Sequence, residues 1–289
     1  MSTKNVEKIV SPGVPHFVGD GFRVHNFIPG IYPMERTDPF IMMDYNSPYV
    51  FPPSEIPKGV DVHPHKGFET VTIAYQGKVE HGDSSGGGGV IEQGDVQWMT
   101  AGNGVLHKEF HEKEWSKTGG TFQMMQLWVN LPAKYKSTPA KYQAIRNSNI
   151  PKVSIENGNG SVEVIAGDFN GTKGVASTFT PINMYNVNLK NETKTTIQFP
   201  KHYTTSLIVI SGSVQVNNQH DVANDHFVLF KNDGEEITLQ ATSDTKILML
   251  SSEPIGEPIA AYGPFVMNTR EELVQAFKDF NEGKFGNLN

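Results

Sequence analysis

Two short triplets hold the residues best suited to chemistry, His63-Pro64-His65 and His107-Lys108-Glu109. In a β-strand, residues i and i+2 point to the same face. Each triplet would therefore send two potential ligands in one direction. If the two strands are neighbours in a barrel, the four ligands converge on one interior point. Three neutral imidazoles and a carboxylate suit Fe(II), Mn(II), Co(II), Ni(II), Cu(II) or Zn(II). In octahedral geometry such a set leaves two positions open, so that a substrate and dioxygen can both approach the ion.

Each triplet alone is a weak signal, and the surroundings strengthen the pair. Pro64 stiffens the backbone between the first two ligands, and Gly102 and Gly104 permit the tight turn that would bring His107 inward. Glu69 is a rival carboxylate, because it follows His65 by four residues and an unbroken strand would put it on the ligand face. Gly67 is placed to interrupt that strand. The run from Ser84 to Gly89 lacks the Lys-Ser/Thr ending of a phosphate-binding loop and reads as a flexible loop at a barrel mouth. His81 and Asp83, beside it, read either as residues that stand behind the ligands or as loop-ordering residues, the second being the safer reading.

The elements that must position these groups are short strands. The 28 glycines and 18 prolines are spread along 289 residues, between β-branched and aromatic runs. That pattern predicts an all-β sandwich or barrel, with strands at 70–75, 96–100, 122–129, 206–210 and 246–250. A crude internal repeat supports two domains. ETVTIAYQGKV from Glu69 and TTSLIVISGSV from Thr204 each run from an apolar strand into a glycine turn. Second markers follow, Gly94-Asp95-Val96 and Asn224-Asp225-His226. The expected division is 1–140 and 141–289, with the border in the polar stretch 139–150. One helix is expected near the end: Thr269 and Glu272 form a capping box, Leu273, Ala276, Phe277 and Phe280 line one face, and Gly283 stands at the C-cap.

Composition narrows the function classes. Cysteine is absent, so any metal must be held by His, Asp or Glu. A thiol-free chain fits the cytoplasm. The start, MSTKNVEKIV, carries no apolar segment, so no secretory signal is expected, and no apolar run is long enough to predict a membrane span. The net charge of -7 is scattered, with no basic stripe, which disfavours direct nucleic-acid binding. A small molecule or a protein partner is expected instead.

At these residues the chain resembles the pirin family of the cupin superfamily. The resemblance lies in HPHKGFETVTIAYQGKVEHGDSSG from His63, GDVQWMTAGNGVLHKE from Gly94 and GPFVMNTREELVQAFKDFNEGKFG from Gly263. It is densest before Pro132 and after Pro258. It implies a bicupin, two tandem jelly-roll barrels packed together with a short C-terminal helix. It also implies one divalent metal, Fe(II) favoured, held in the N-terminal barrel by His63, His65, His107 and Glu109, with Glu69 beside the site. Aligning Gly77 with Gly212 puts Gln198, Pro200 and Ile237 at the ligand positions of the second barrel, which is expected to be metal-free. Two roles are implied. One is a quercetin 2,3-dioxygenase in which Glu109 accepts the flavonol proton; Phe68, Trp98 and Phe110 either pack the core, the favoured reading of each, or line an apolar pocket for a flat ligand. The other is a metal- or redox-sensitive regulator that binds a transcription factor or a metabolic enzyme. A monomer is the simplest expectation.

Overall fold

The strands that carry the two triplets are hydrogen-bonded neighbours. Gly59–His65 pairs antiparallel with Val105–His111, which pairs in turn with Val79–Asp83 and, beyond it, Gly88–Ile91. In this computed structural model, which describes residues 2–288, that four-stranded sheet packs on a seven-stranded one. The larger sheet runs in the order Lys141–Ile145, Val96–Thr100, Phe68–Gln76, Gly120–Asn130, Phe40–Phe51, Phe22–Ile28 and His16–Val18. Apolar side chains from both sheets, including Phe22, Ala74, Phe122 and Met124 from the larger and Val79 and Ile91 from the smaller, form a shared core. Two sheets joined by a common core make the jelly-roll expected of a cupin.

The second unit repeats the plan. Its seven-stranded sheet runs Val6–Val10, Phe227–Phe230, Thr204–Ser211, Thr245–Ser252, Ile182–Leu189, Gly160–Ala166 and Lys152–Ile155. Its four-stranded sheet runs Lys194–Gln198, Glu236–Ala241, Ser213–Val216 and His220–Ala223. The repeat seen in the sequence is the strand that changes sheets. Phe68–Gln76 and Thr204–Ser211 hold the third place of their large sheets, and each passes through a glycine with positive φ, Gly77 (+85°) or Gly212 (+79°), into the small sheet. Each second marker leads into the strand beside it, Val96–Thr100 or Phe227–Phe230.

The units do not follow the linear division at 140. One comprises Gly13–Asn147 with Ile255–Asn289, and the other comprises the chain up to Pro12 with Ser148–Pro254. The expected border is therefore corrected at both termini. The edge place next to Val96–Thr100 is filled by Lys141–Ile145, whereas the equivalent place next to Phe227–Phe230 is filled by the N-terminal strand Val6–Val10. The terminal helix, assigned above to the second domain, belongs to the unit with the two triplets.

That helix spans Arg270–Asn281 and starts at the capping box: Glu272 N–H donates to Thr269 Oγ1 (3.2 Å) and Thr269 N–H to Glu272 Oε2 (3.0 Å). Ala276, with Leu273 and Phe277, packs on Phe265 and Phe285. Asp279 forms an ion pair with Lys66 at 2.7 Å, which ties the helix to the residue after His65.

Candidate metal centre

The register sets the ligand geometry. His107 is the Cα partner of His63, and Val105 is that of His65. Along Val105–His111 the odd-numbered residues are buried and the even ones half-buried, so His107 and Glu109 share the inner face, as the spacing predicts. A register shift between His107 and Glu109 then pairs Glu109 with Val60. The His63, His65 and His107 rings lie 4.2–4.9 Å apart by centroid, and one ligand atom from each falls within 4.8 Å of the others. A second group overlaps the first, formed by His81, His107 and Glu109 with the same spacing. His107 belongs to both.

The environment keeps His65 and His107 neutral, as metal binding requires. Burial lowers His65 and His107 well below the ordinary histidine range, and the neighbouring rings add to the effect. His63 Nδ1 contacts the Asp61 carbonyl at 2.7 Å, and His65 Nδ1 contacts that of Pro264 at 3.4 Å. Such contacts orient a ring and leave Nε2 for an ion. His107 is buried, and neither ring nitrogen has a hydrogen-bond partner among the described residues. A buried polar atom left unpartnered is costly, and an ion between the three rings would satisfy one of these nitrogens. The donor set and this orphaned imidazole fit a divalent transition metal.

Glu109 is held by a polar row that crosses the large sheet. Asn26, Asp44, Gln126, Thr72 and Gln97 are successive register partners on five adjacent strands. Asn26 Nδ2 donates to Asp44 Oδ1 at 2.8 Å, and Thr72 Oγ1 donates to Gln126 Oε1 at 2.5 Å. Gln97 Nε2 donates to Thr72 Oγ1 at 2.9 Å. Three members reach Glu109: Gln97 and Thr72 (3.3 Å) at Oε1, and Gln126 (3.3 Å) at Oε2. Sequence periodicity gives no hint of this row, because only the register of five strands assembles it.

Other expectations are refined. Glu69 does not join either group. Gly67, with φ +87°, ends the first strand, and Glu69 lies on the opposite sheet, where Thr100 Oγ1 donates to its Oε1 at 2.7 Å. Burial pushes the Glu69 carboxyl up to about 7. Asp83 does order the glycine loop, accepting at Oδ1 from Ser85 N–H (2.8 Å), Ser85 Oγ (2.6 Å) and Gly87 N–H (3.0 Å). Its Oδ2 lies 3.2 Å from His81 Nε2. His81 is buried and stands beside His107, with ring centroids 5.3 Å apart. His111, on the same inner face, belongs to an aromatic cluster with Phe51 and Phe122, both 4.6 Å away by centroid, and its Nε2 contacts the Gly21 carbonyl at 2.8 Å.

A cavity of about 330 Å³ opens on the cluster. His63, His65, Glu109, Gln126 and Asp44 provide its polar lining, and Phe22, Met42, Met124 and Trp128 are among its apolar walls. Phe68, Trp98 and Phe110, for which core packing is favoured over a place in the pocket, are not in the wall. Phe68 lies beside Trp128, with centroids 4.3 Å apart, and Trp98 is fully buried in the sheet. In the second unit, the aligned Ile237 pairs with Ile197 inside an apolar core, and Gln198 is exposed at a strand end. No described helix is long and apolar enough to cross a membrane.

Comparison with known proteins agrees with this architecture. The pirin family model matches residues 21–129, and the model for the pirin C-terminal cupin domain matches residues 184–286. A Pseudomonas aeruginosa protein named "Putative quercetin 2,3-dioxygenase" is 44% identical over 93% of this chain and 94% of its own length. A pirin-like protein of Caulobacter vibrioides is 36% identical over 99% of this chain and 100% of its own. The crystal structure of a quercetin 2,3-dioxygenase from Acinetobacter baumannii superposes with a TM-score of 0.93 at 46% identity, covering 100% of both chains. With both halves of the fold and near full-length relatives in agreement, the chain belongs to the pirin family.

Proposed function

We propose that this protein is a metal-dependent dioxygenase that cleaves the ring of a flavonol such as quercetin, with His63, His65, His107 and Glu109 holding one divalent ion, Fe(II) favoured. The same donors also accept Mn, Co, Ni, Cu or Zn. The observation that carries the reading is the imidazole cluster at the mouth of a cavity with largely apolar walls, of a kind that suits a flat aromatic ligand. Similarity to proteins named as quercetin dioxygenases supports the choice of substrate.

When bound, the ion supplies Lewis acidity and a template on which an electron-rich flavonolate meets dioxygen. The protein's part is to bind, orient and deprotonate. Trp128 and Phe22 offer apolar faces to the flavonol rings. Glu109 is the base. Its Oε1 is engaged by both Thr72 and Gln97, whereas Oε2 has a single contact, from Gln126, and is the freer atom to take the flavonol hydroxyl proton. His63 is half-exposed while His65 and His107 are buried, so substrate enters past His63.

The test is metal content and oxygen uptake with quercetin, comparing wild type and His63→Ala after reconstitution with each ion. The expected result is one bound ion and uptake in wild type, both lost in the variant. A bound ion without uptake would remove the flavonol reading and favour a binding role.

A further inference from the structure

The cavity holds a second carboxylate that the proposed chemistry does not use. Asp44 lies on Phe40–Phe51, on the floor of the large sheet, and lines the same cavity as His63, His65 and Glu109. One of its oxygens is committed, since Oδ1 accepts from Asn26 Nδ2 at 2.8 Å. Among the described residues no Lys or Arg is paired with it; burial raises its pKa, against the Asn26 hydrogen bond and the nearby His16, which lower it. Between Asp44 and Glu109 stands Gln126, the register partner of Asp44, which also lines the cavity and donates to Glu109. Two carboxylates thus line one cavity, with Gln126 bonded to one and in register with the other. A half-buried carboxylate with one oxygen left uncommitted beside apolar walls is incompletely solvated, and a ligand hydroxyl that donates to it offsets that cost.

We propose that Asp44 is a specificity-determining residue, whose carboxylate accepts a hydrogen bond from a phenolic hydroxyl of the substrate remote from the hydroxyl at the metal centre. The inference rests on the flavonol reading and narrows it. The cavity selects polyhydroxylated flat aromatics over those with a single hydroxyl. Met42, Met124 and Trp128 grip the ring between the two polar ends, and Asn26 fixes the Asp44 rotamer through Oδ1. The preference arises at Asp44 because the other polar groups of the wall belong to, or contact, the metal-side cluster.

The experiment is equilibrium binding of quercetin and of 3-hydroxyflavone, which keeps the metal-side hydroxyl and lacks the others. It is read by tryptophan fluorescence on Fe(II)-loaded protein under argon, so that no turnover intervenes. Wild type is expected to bind quercetin roughly 10- to 100-fold more tightly than 3-hydroxyflavone, the range for a hydrogen bond to a charged group. Asp44→Ala should bring the two affinities together by weakening quercetin alone. Asp44→Asn, which keeps the shape and the contact to residue 26, should retain a reduced preference and guards against misfolding of the smaller variant. Equal binding in wild type, or a preference unchanged in both variants, overturns the role of Asp44 and leaves the flavonol reading intact. If wild type binds neither compound, the flavonol reading fails, and this inference fails with it.

Discussion

His63 and His107 are Cα partners across two antiparallel strands, and their ring centroids lie 4.2 Å apart. One ion between them would staple the start of the four-stranded sheet. Removing it by chelation should therefore lower the thermal midpoint, and re-adding it should restore stability by about 3 kcal/mol at hundredfold excess over Kd. His107→Ala should abolish this metal-dependent shift while its own unfolding remains cooperative. Differential scanning calorimetry with and without added ion checks both statements. A midpoint indifferent to metal in wild type would refute the assignment.

The polar row predicts that Glu109 is positioned by neutral amides. Gln126→Leu removes the donor to Oε2 and leaves Oε1 to Thr72 and Gln97. Changes of this kind behind a ligand typically cost about 10- to 100-fold in metal affinity or activity. Glu109→Gln should cost more, because its amide nitrogen would face the amino groups of Gln97 or Gln126. Metal affinity by competition with a chelating dye, and kcat with quercetin, distinguish the two effects.

Protonation should reveal His111 in the stability profile. Its pKa is lowered from 6.5 to about 4, chiefly by burial. Between these values the unfolded chain binds the proton and the folded one does not. This group therefore makes stability fall as pH drops from about 6.5 towards 4, by on the order of 3 kcal/mol at most. Glu69 acts in the opposite sense. Its carboxyl is raised from 4.5 to about 7, so the folded state holds the extra proton and stability falls as pH rises through that window. Denaturant unfolding from pH 4 to 8 should show a steeper acid limb in Glu69→Gln than in wild type, and a shallower one in His111→Asn.

Gly67 carries a backbone constraint that no other residue meets easily. Its φ is +87°, and a Cβ would collide with the Val266 carbonyl. Its own carbonyl accepts from the buried Lys136 Nζ at 2.8 Å, an ammonium that also reaches the Val266 carbonyl at 3.0 Å. Gly67→Ala should destabilise the protein by about 2 kcal/mol or more. It should also weaken metal binding, because residues 65–67 and 264–266 meet at this junction. A lowered denaturation midpoint with unchanged m-value, together with reduced metal content, is the expected result.

What the sequence determined by itself was local. The spacing of His63 with His65, and of His107 with Glu109, sets each pair on one face because the strand period is two, and the four residues fall into two overlapping groups, His63, His65 and His107 in one and His107 and Glu109 with His81 in the other. The capping box at Thr269 and Glu272 is equally local and forms as read. The glycine turns at Gly77 and Gly212 mark where a strand leaves one sheet for the other, which is why even a crude repeat identified the doubled fold. Tertiary structure decided everything that depends on which strands lie side by side. It brought His81 beside His107 and turned Glu69 to the opposite sheet. It lined the cavity with Trp128 and Phe22, left Phe68 and Trp98 in the core, and joined Asn26, Asp44, Gln126, Thr72 and Gln97 into one row. It also gave each unit a terminal segment from beyond the linear border, since an open sheet edge is completed by whichever strand reaches it. Periodicity along a chain reports the face of a residue, whereas register across five strands is a long-range property that no local spacing encodes.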